Sequence, residues 1–395
     1  MRKLRPAGSG SVSDPKGIAE QFPRPRKEAA AGSPRAGPAQ TAFLRETLQH
    51  IPKILLIRLR SLGDSILTLP LLEALHDWRP DLQLDILIEA PYAPVFHHHP
   101  AVHEVLVLRS RNRPSGAGWT RFRAALEIRK RHYPAVLNLH GGTTSMLFTA
   151  ISGAESRIGQ QSHRISRLYT APIPPSEIIW QRASIHTVEH QLSLMRWLGI
   201  PTPERTGPFL YVNEGAKKRI QDRVAQAGLS DYFLIHPTAT LATKQWSPGK
   251  FAELGDWLFR RRGIPVIYTS APQEISVLRD IEKAAAARHV YWSDLPLDHL
   301  FALIDGCLLY IGNDSGPTHA ASALGKPVVV VWGSSNFEAW RPWGVECEAV
   351  RSELPCAPCP GYACGAFGAP KCILDIPVAQ VADACDRLLS RTARG

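Results

Sequence analysis

Between Cys307 and Trp332 the chain reads strand, turn, helix, strand, and that order admits few folds. Cys307 to Ile311 is an apolar run of buried-strand type. Gly312 to Gly316 is a turn of small and polar residues, and Pro317 stands at a first helical position, where its missing N–H has no intrahelical partner to lose. The segment Thr318 to Leu324 predicts a small Ala-rich helix stopped by Gly325, and Val328 to Trp332 predicts a second buried strand. Two strands joined by a helical crossover lie parallel. The helix start, with free N–H groups and a positive dipole end, then falls at the carboxyl edge of the sheet, a site for a phosphate or a polyhydroxylated ligand. Asp314, Ser315, Thr318 and His319 are the side chains such a site would present. Asp314 or Ser315 could equally do no more than cap the helix.

The same alternation of short apolar strands and amphipathic helices runs through the rest of the chain. Strands are expected at Lys53–Arg58, Leu84–Ile88, Val105–Leu108 and Ala135–Leu139, with helices at Ile66–Trp78, Arg121–Arg131, Thr143–Ser152 and His186–Leu198. Pro201 to Gly215, with three prolines, reads as a linker. Beyond it, strands are expected at Tyr232–His236, Pro265–Tyr268, Val290–Trp292, Leu308–Ile311 and Val328–Trp332. Helices follow at Pro248–Arg262, Gln273–Ala287, Leu297–Asp305, Thr318–Leu324 and Val378–Ser390. This is an α/β pattern. At 395 residues it exceeds what one core organises, so two doubly wound, Rossmann-like domains facing across a cleft are expected, residues 51–212 and 213–395.

Before them, residues 1–50 read as a flexible basic extension, ending in a short helix at Ala42–His50. That extension supplies much of the net charge of +11 through Arg2, Lys3, Arg5, Lys16, Arg24, Arg26, Lys27, Arg35 and Arg45. A tail of this kind can be merely solvated, or can meet an anionic lipid surface or a nucleic acid. The start has charge but no apolar core behind it and reads as no secretory signal, and no run is long enough for a membrane span. Disulfides are therefore not the first expectation for the seven cysteines. No G-x-G-x-x-G follows the first strand and no G-x-x-x-x-G-K-[ST] occurs, which lowers NAD-dependent oxidoreduction and P-loop phosphoryl transfer.

Three further places could carry chemistry. Asp64 follows Gly63 in the turn after the first strand, where a carboxylate could accept a proton from an attacking hydroxyl or cap the helix it starts. Arg58 and Arg60 flank that turn, and their forks suit phosphate or carboxylate on an acceptor. In His236-Pro-Thr-Ala-Thr-Leu-Ala-Thr-Lys-Gln-Trp246, Thr240 and Lys244 would reach the cleft from the first strand of the second half, with Trp246 packed under the turn. Glu274, after the next strand, is placed either for ribose hydroxyls or as a first-turn glutamate favoured by the helix dipole.

Together these residues resemble glycosyltransferase family 9, the lipopolysaccharide heptosyltransferases of the GT-B fold. The similarity runs from about Lys53 to Leu389 and rests on four stretches in order: Arg60-Ser-Leu-Gly-Asp64, Asn138-Leu-His-Gly141 with Arg157-Ile-Gly159, Thr243-Lys-Gln-Trp246, and Gly312-Asn-Asp-Ser-Gly-Pro-Thr-His319 with Gly325-Lys-Pro327. The resemblance implies inverting transfer of a heptose from an ADP-activated donor to a lipid-linked, phosphorylated lipopolysaccharide core, catalysed at the cytoplasmic, inner face of the inner membrane by a peripheral protein. Asp64 would be the general base. Thr240 and Lys244 would hold the donor diphosphate, Glu274 the ribose, and Asp314, Ser315, Gly316 and His319 the donor sugar and phosphate, with Arg58, Arg60 and Ser61 on the acceptor side. No metal cofactor is required by that chemistry. Two departures, Leu67 where relatives often carry His and Asn138-Leu-His-Gly141 where Asp-Leu-Gln-Gly is common, bear on the acceptor and the donor sugar rather than on the reaction class.

A Cys-rich loop, residues 356–372, holds Cys356, Cys359, Cys364 and Cys372, spaced C-x2-C-x4-C-x7-C. Four thiolates could bind a structural zinc, and iron–sulfur ligation fits the spacing as well; a set of reduced, partly buried thiols is the alternative. Rival functions are a GT-B transferase or epimerase using another nucleotide sugar, such as a UDP-sugar, and a basic, metal-stabilised nucleic-acid-binding protein. The last has no Arg/Lys-rich recognition helix beside the cysteines, so no nucleic-acid partner is expected.

Overall fold

The computed structural model describes residues 38–108, 117–202, 209–359 and 362–392. Two six-stranded sheets organise them. The first contains β1 (Lys53–Ile57), β2 (Gln83–Glu89), β3 (Val102–Leu108), β4 (Ala135–Asn138), β5 (Ser156–Gln160) and β6 (Ala171–Ile173), in the order β3-β2-β1-β4-β5-β6. The second contains β7 (Phe233–His236), β8 (Val266–Thr269), β9 (Val290–Trp292), β10 (Leu309–Asn313), β11 (Val328–Trp332) and β12 (Cys347–Arg351), in the order β12-β11-β10-β7-β8-β9. Every pairing is parallel. Helices cover both faces, which is why the central strands are continuous apolar runs, as in Val328-Val-Val-Val-Trp332.

In each sheet the strand order reverses once, between β1 and β4 in the first and between β7 and β10 in the second. Loops at the carboxyl ends of the strands flanking such a reversal splay apart and leave a crevice for a ligand. Asp64 and His140 follow β1 and β4, while Lys244 and Asp314 follow β7 and β10.

Several elements differ from the sequence expectation. β5, β6 and β12 are strands that polarity disguised: β5 carries Arg157 and Gly159, β6 is an edge strand with Pro172 in it, and β12 is an edge strand with Glu348 and Arg351. The helix expected over Ile66–Trp78 is two helices, Leu62–Ile66 and Leu69–Trp78, separated at Leu67 and Thr68 with Pro70 in the first turn of the second.

The basic extension is shorter than expected at its folded end. Pro38–His50 is a helix whose Leu44 and Leu48 are buried in the first half's core, and Arg79 Nη1 donates to Leu48 O at 2.9 Å. Residues 1–37, which hold most of the extension's cations, lie outside the described residues.

The halves are tied at several points. Phe209 and Leu210 N–H both donate to Ala323 O, at 2.7 and 3.1 Å. Tyr211 Oη, in the connecting segment, donates to Glu73 Oε1 of the first half at 3.1 Å, and Thr187 Oγ1 donates across to Ala339 O at 2.8 Å. His186 Nδ1 accepts from Val188 N–H, so its Nε2–H donates to Arg341 O at 2.9 Å while the ring stacks on Trp343. Removing the docked N-terminal anchor should cost stability: Leu48→Ala is expected to destabilise the fold by about 2–5 kcal/mol, read as a lower urea midpoint with an unchanged slope.

Candidate active site

Ser61 begins the helix Leu62–Ile66 that follows β1. Ser61 N–H and Oγ both donate to Asp64 Oδ2, at 3.4 and 3.0 Å, so Asp64 takes part in the cap at the third helical position. Its side chain remains 29% exposed and thus keeps lone pairs for a ligand. Capping and a chemical role are compatible in this geometry.

Arg58 lies beneath Asp64, with Nη1 3.7 Å from Oδ1. At 5% exposure it is no surface fork, and Nε and Nη2 are buried without a hydrogen-bond partner among the described residues. Burial pulls its pKa below the usual arginine value, against the pull of Asp64. Arg58 therefore sits behind the turn, and of the three residues expected on the acceptor side only Arg60 and Ser61 are exposed.

Across the cleft, Lys244 Nζ meets Asp314 Oδ2 at 2.8 Å. The pair spans the reversal between β7 and β10. Ser335 Oγ also donates to Asp314, and His319 Nε2 lies 3.8 Å from Asp314 Oδ1. Asp314 is thus not the helix cap. Ser315 holds the cap position of the helix Gly316–Ala323, but its side chain makes no capping bond; Oγ stands 3.5 Å from Thr318 Oγ1, which itself bonds Asn313 O. Asn313 fastens the two loops together by donating to Pro237 O and accepting from Trp246 N–H. Trp246 is buried under the turn, its Nε1–H bonded to Ile376 O. Thr240 is exposed in the turn after β7. Glu274 ends the short turn Pro272–Glu274, where Thr238 Oγ1 donates to it at 2.8 Å and Ala271 N–H at 3.3 Å. The first-turn role is therefore real.

The two groups meet through glycines. A Cβ on Gly63 would stand 2.9 Å from His319 Cδ2, and a Cβ on Gly316 would stand 2.8 Å from the Leu62 side chain. Each half's motif glycine is closed against a side chain of the other half. His319 is consequently buried between Asp314 and Asp64; burial lowers its pKa although both carboxylates pull it up.

Beside the Asp64 turn, the Asn138-Leu-His-Gly141 and Arg157-Ile-Gly159 stretches bring in His163, Tyr169 and His190, which no sequence motif singled out. Asn138 Oδ1 accepts from His140 and Gly141 N–H, at 3.0 and 3.2 Å, shaping the turn after β4. Gly141 has φ +68°, and a Cβ there would sit 2.5 Å from the His163 ring; a Cβ on Gly159 would sit 2.2 Å from Tyr169 Cζ. Both motif glycines thus make room for one pair, His163 Nδ1 and Tyr169 Oη, 2.6 Å apart. The glycines were the available signal; the His163–Tyr169 pair they admit lies in a loop without periodicity. His190, whose Nδ1 bonds Ser176 Oγ at 2.6 Å, belongs to the same cluster. Burial is the main cause that lowers the pKa of all three imidazoles, with Arg58 adding to it, and His163 falls to about 4. At neutral pH these rings are uncharged and can accept as well as donate hydrogen bonds.

The four loop cysteines are free thiols. Burial and the three neighbouring thiols push Cys372 up to about 11. Tetrahedral zinc would hold its sulfurs about 3.8 Å apart. Among the described residues, the ligand-type atoms gathered within 4.8 Å of one another belong instead to Asp85, His103 and Glu104. Those groups are already engaged, Asp85 with Tyr133 and His103, and Glu104 with Arg131.

Residues 121–367 match the family described as Glycosyltransferase family 9 (heptosyltransferase). Similar curated proteins include lipopolysaccharide heptosyltransferase 3 of Escherichia coli K12, 28% identical over 71% of this chain and 82% of that protein, and lipopolysaccharide heptosyltransferase 1 of Pseudomonas aeruginosa, 27% identical over 79% and 87%. Among solved structures, the E. coli ADP-heptose LPS heptosyltransferase II superposes with a TM-score of 0.72 at 22% identity, covering 86% of this chain and 99% of that one. An E. coli heptosyltransferase with ADP-2-deoxy-2-fluoro heptose superposes at 0.62 and 19% identity, with the same coverage.

The neutral histidines set a pH dependence. The unfolded chain protonates them near the ordinary value of 6.5, and the folded protein resists until lower pH, to about 4 for His163 and His186. Their contribution is complete above the unfolded value and is lost as pH falls through that window. Tm is expected to drop on acidification from pH ~7 to ~4, and His163→Gln should make the decline shallower.

Proposed function

Because the chain belongs to glycosyltransferase family 9 and has the GT-B fold, we propose that this glycosyltransferase moves a heptose from an ADP-activated donor to the phosphorylated core of a lipid-linked lipopolysaccharide acceptor, with inversion. The names of the curated relatives support the sugar and the lipopolysaccharide, and the solved relatives support ADP as the activating group. The observation that carries the reading is the apposition at Gly63 and Gly316, which sets a partly exposed carboxylate, Asp64, against a helix start that stands beside the Lys244–Asp314 pair.

In this reading Asp64 takes the proton of the attacking acceptor hydroxyl. Attack comes from the side opposite the leaving diphosphate, so that the anomeric configuration inverts. Developing negative charge on the diphosphate is met by Lys244, which leaves Asp314 for it, by Thr240, and by the start of the helix Gly316–Ala323. Asp314, freed, turns to sugar hydroxyls beside Ser315 and His319, and Glu274 receives the ribose. Arg58 stabilises the Asp64 carboxylate from behind, while Arg60 and Ser61 face the acceptor. The reading assigns no metal to the transfer. A metal at Cys356, Cys359, Cys364 and Cys372 would be structural, and the four sulfurs would have to draw together around it.

No helix among the described residues is long and apolar enough to cross a membrane. A lipid-linked acceptor would call the protein to a membrane surface, and the location that goes with this reading is peripheral, at the inner face of the inner membrane on the cytoplasmic side.

Incubation with a panel of ADP- and UDP-sugars and core acceptors, with products detected by mass spectrometry, tests the assignment; turnover with UDP-sugars and none with ADP-heptose rejects it. Asp64→Asn should lower kcat by about 10²–10⁴ with donor affinity nearly intact. Lys244→Ala should instead raise the donor KM, the mark of lost binding.

A further inference from the structure

The helix Ala117–Lys130 turns an apolar stripe away from the protein. Ala125 and Ile128 form its inner face, buried against Leu55, Val136 and Phe148. Trp119, Phe122 and Leu126, spaced so that they share the opposite face, are 65%, 47% and 37% exposed. The Trp119 and Phe122 rings stack on each other, centroids 5.6 Å apart, so they make one contiguous patch rather than scattered side chains. Leu147, exposed on the neighbouring helix Thr143–Ile151, lies on the element packed beside it.

Cations flank the stripe. From residue 119 to 130 the helix carries Arg123, Arg129 and Lys130 beside the stripe, with Arg121 on the inner side near Ala125 and Ile128, against the single acid Glu127, which is paired with Lys130. An apolar face edged by arginines, with a tryptophan at its tip, matches an anionic bilayer surface: the rings enter the headgroup boundary and the guanidinium groups stay with the phosphates.

The position in the fold fits. β3 is the outer strand of the first sheet and ends at Leu108 on its carboxyl edge, and the helix runs back from that edge toward β4. Trp119 and Phe122, in its first turns, therefore lie at the edge that carries Asp64. We propose that Trp119, Phe122 and Leu126, with Arg123, form a membrane-docking face that seats the first half on an anionic lipid surface with the Asp64 turn toward it. This rests on the reading of a lipid-linked acceptor for its purpose, but not for its test.

The full chain is mixed with vesicles of phosphatidylcholine alone or of phosphatidylcholine with phosphatidylglycerol, and bound protein is separated by sedimentation. Wild type should bind the anionic vesicles. Trp119→Ser/Phe122→Ser should lower that partition at least about tenfold, with Tm unchanged because both side chains are already exposed. Arg123→Gln should lower the preference for phosphatidylglycerol. Failure of wild type to bind, or undiminished binding by the Trp119/Phe122 double variant, overturns the proposal. So does sedimentation velocity showing a wild-type dimer that the double variant dissociates, since the patch would then be covered by a second copy. Vesicle binding needs no sugar transfer, so a protein inactive with ADP-heptose that still docks through Trp119 and Phe122 would sink the donor assignment and leave the docking face standing.

Discussion

Everything about the cleft depends on two helix starts approaching each other without a Cβ between them. Gly63 receives the His319 ring and Gly316 receives Leu62, so the turn after β1 and the turn after β10 touch directly. A Cβ at either glycine would stand within 3 Å of a side chain of the other half, closer than side-chain atoms pack, so that side chain or the halves would have to give way. Because they can touch, a carboxylate from one sheet and an ion pair from the other come to share one small, partly dry space. Neither sheet alone has the parts for a displacement reaction; contact between the two sheets assembles them.

Charge in that space is managed by burial as much as by pairing. Arg58, His140, His163, His190 and His319 crowd behind or beside the two carboxylates, and five full positive charges could not be sustained there. Desolvation settles the matter by keeping the imidazoles neutral and leaving Arg58 as the charge nearest Asp64. Lys244 is the complementary case. Bound to Asp314 before any ligand arrives, it is held in place without an unpaired charge, and an anion entering the site exchanges with a carboxylate rather than with water.

Much of this was legible in the chain. The alternation of apolar strands with amphipathic helices determines the two parallel sheets, and the turns that carry Asp64, Lys244 and Asp314 stand at strand ends by sequence alone. Three strands were not legible, because β5 owes its place to its neighbours and β6 and β12 are edges that tolerate proline and charge. The site's reading was incomplete in a similar way. Local spacing marks which residue follows a strand, but not which glycine is met from across the cleft. His163 and Tyr169 therefore escaped, although Gly141 and Gly159 exist to admit them. Arg58 looked like a surface fork because a single arginine at a strand end carries no sign of what will cover it.

The double hydrogen bond from Phe209 and Leu210 to Ala323 fastens the connecting segment to the far end of the very helix whose beginning faces Asp64. A lever pinned at one tip moves most at the other. With that pivot at Ala323, a rotation of the first sheet about the connection would leave the connection almost still while shifting Gly63 against Gly316, about two helical turns away. Small angular changes between the halves would thereby be felt at the contact that sets Asp64 against the Lys244–Asp314 pair.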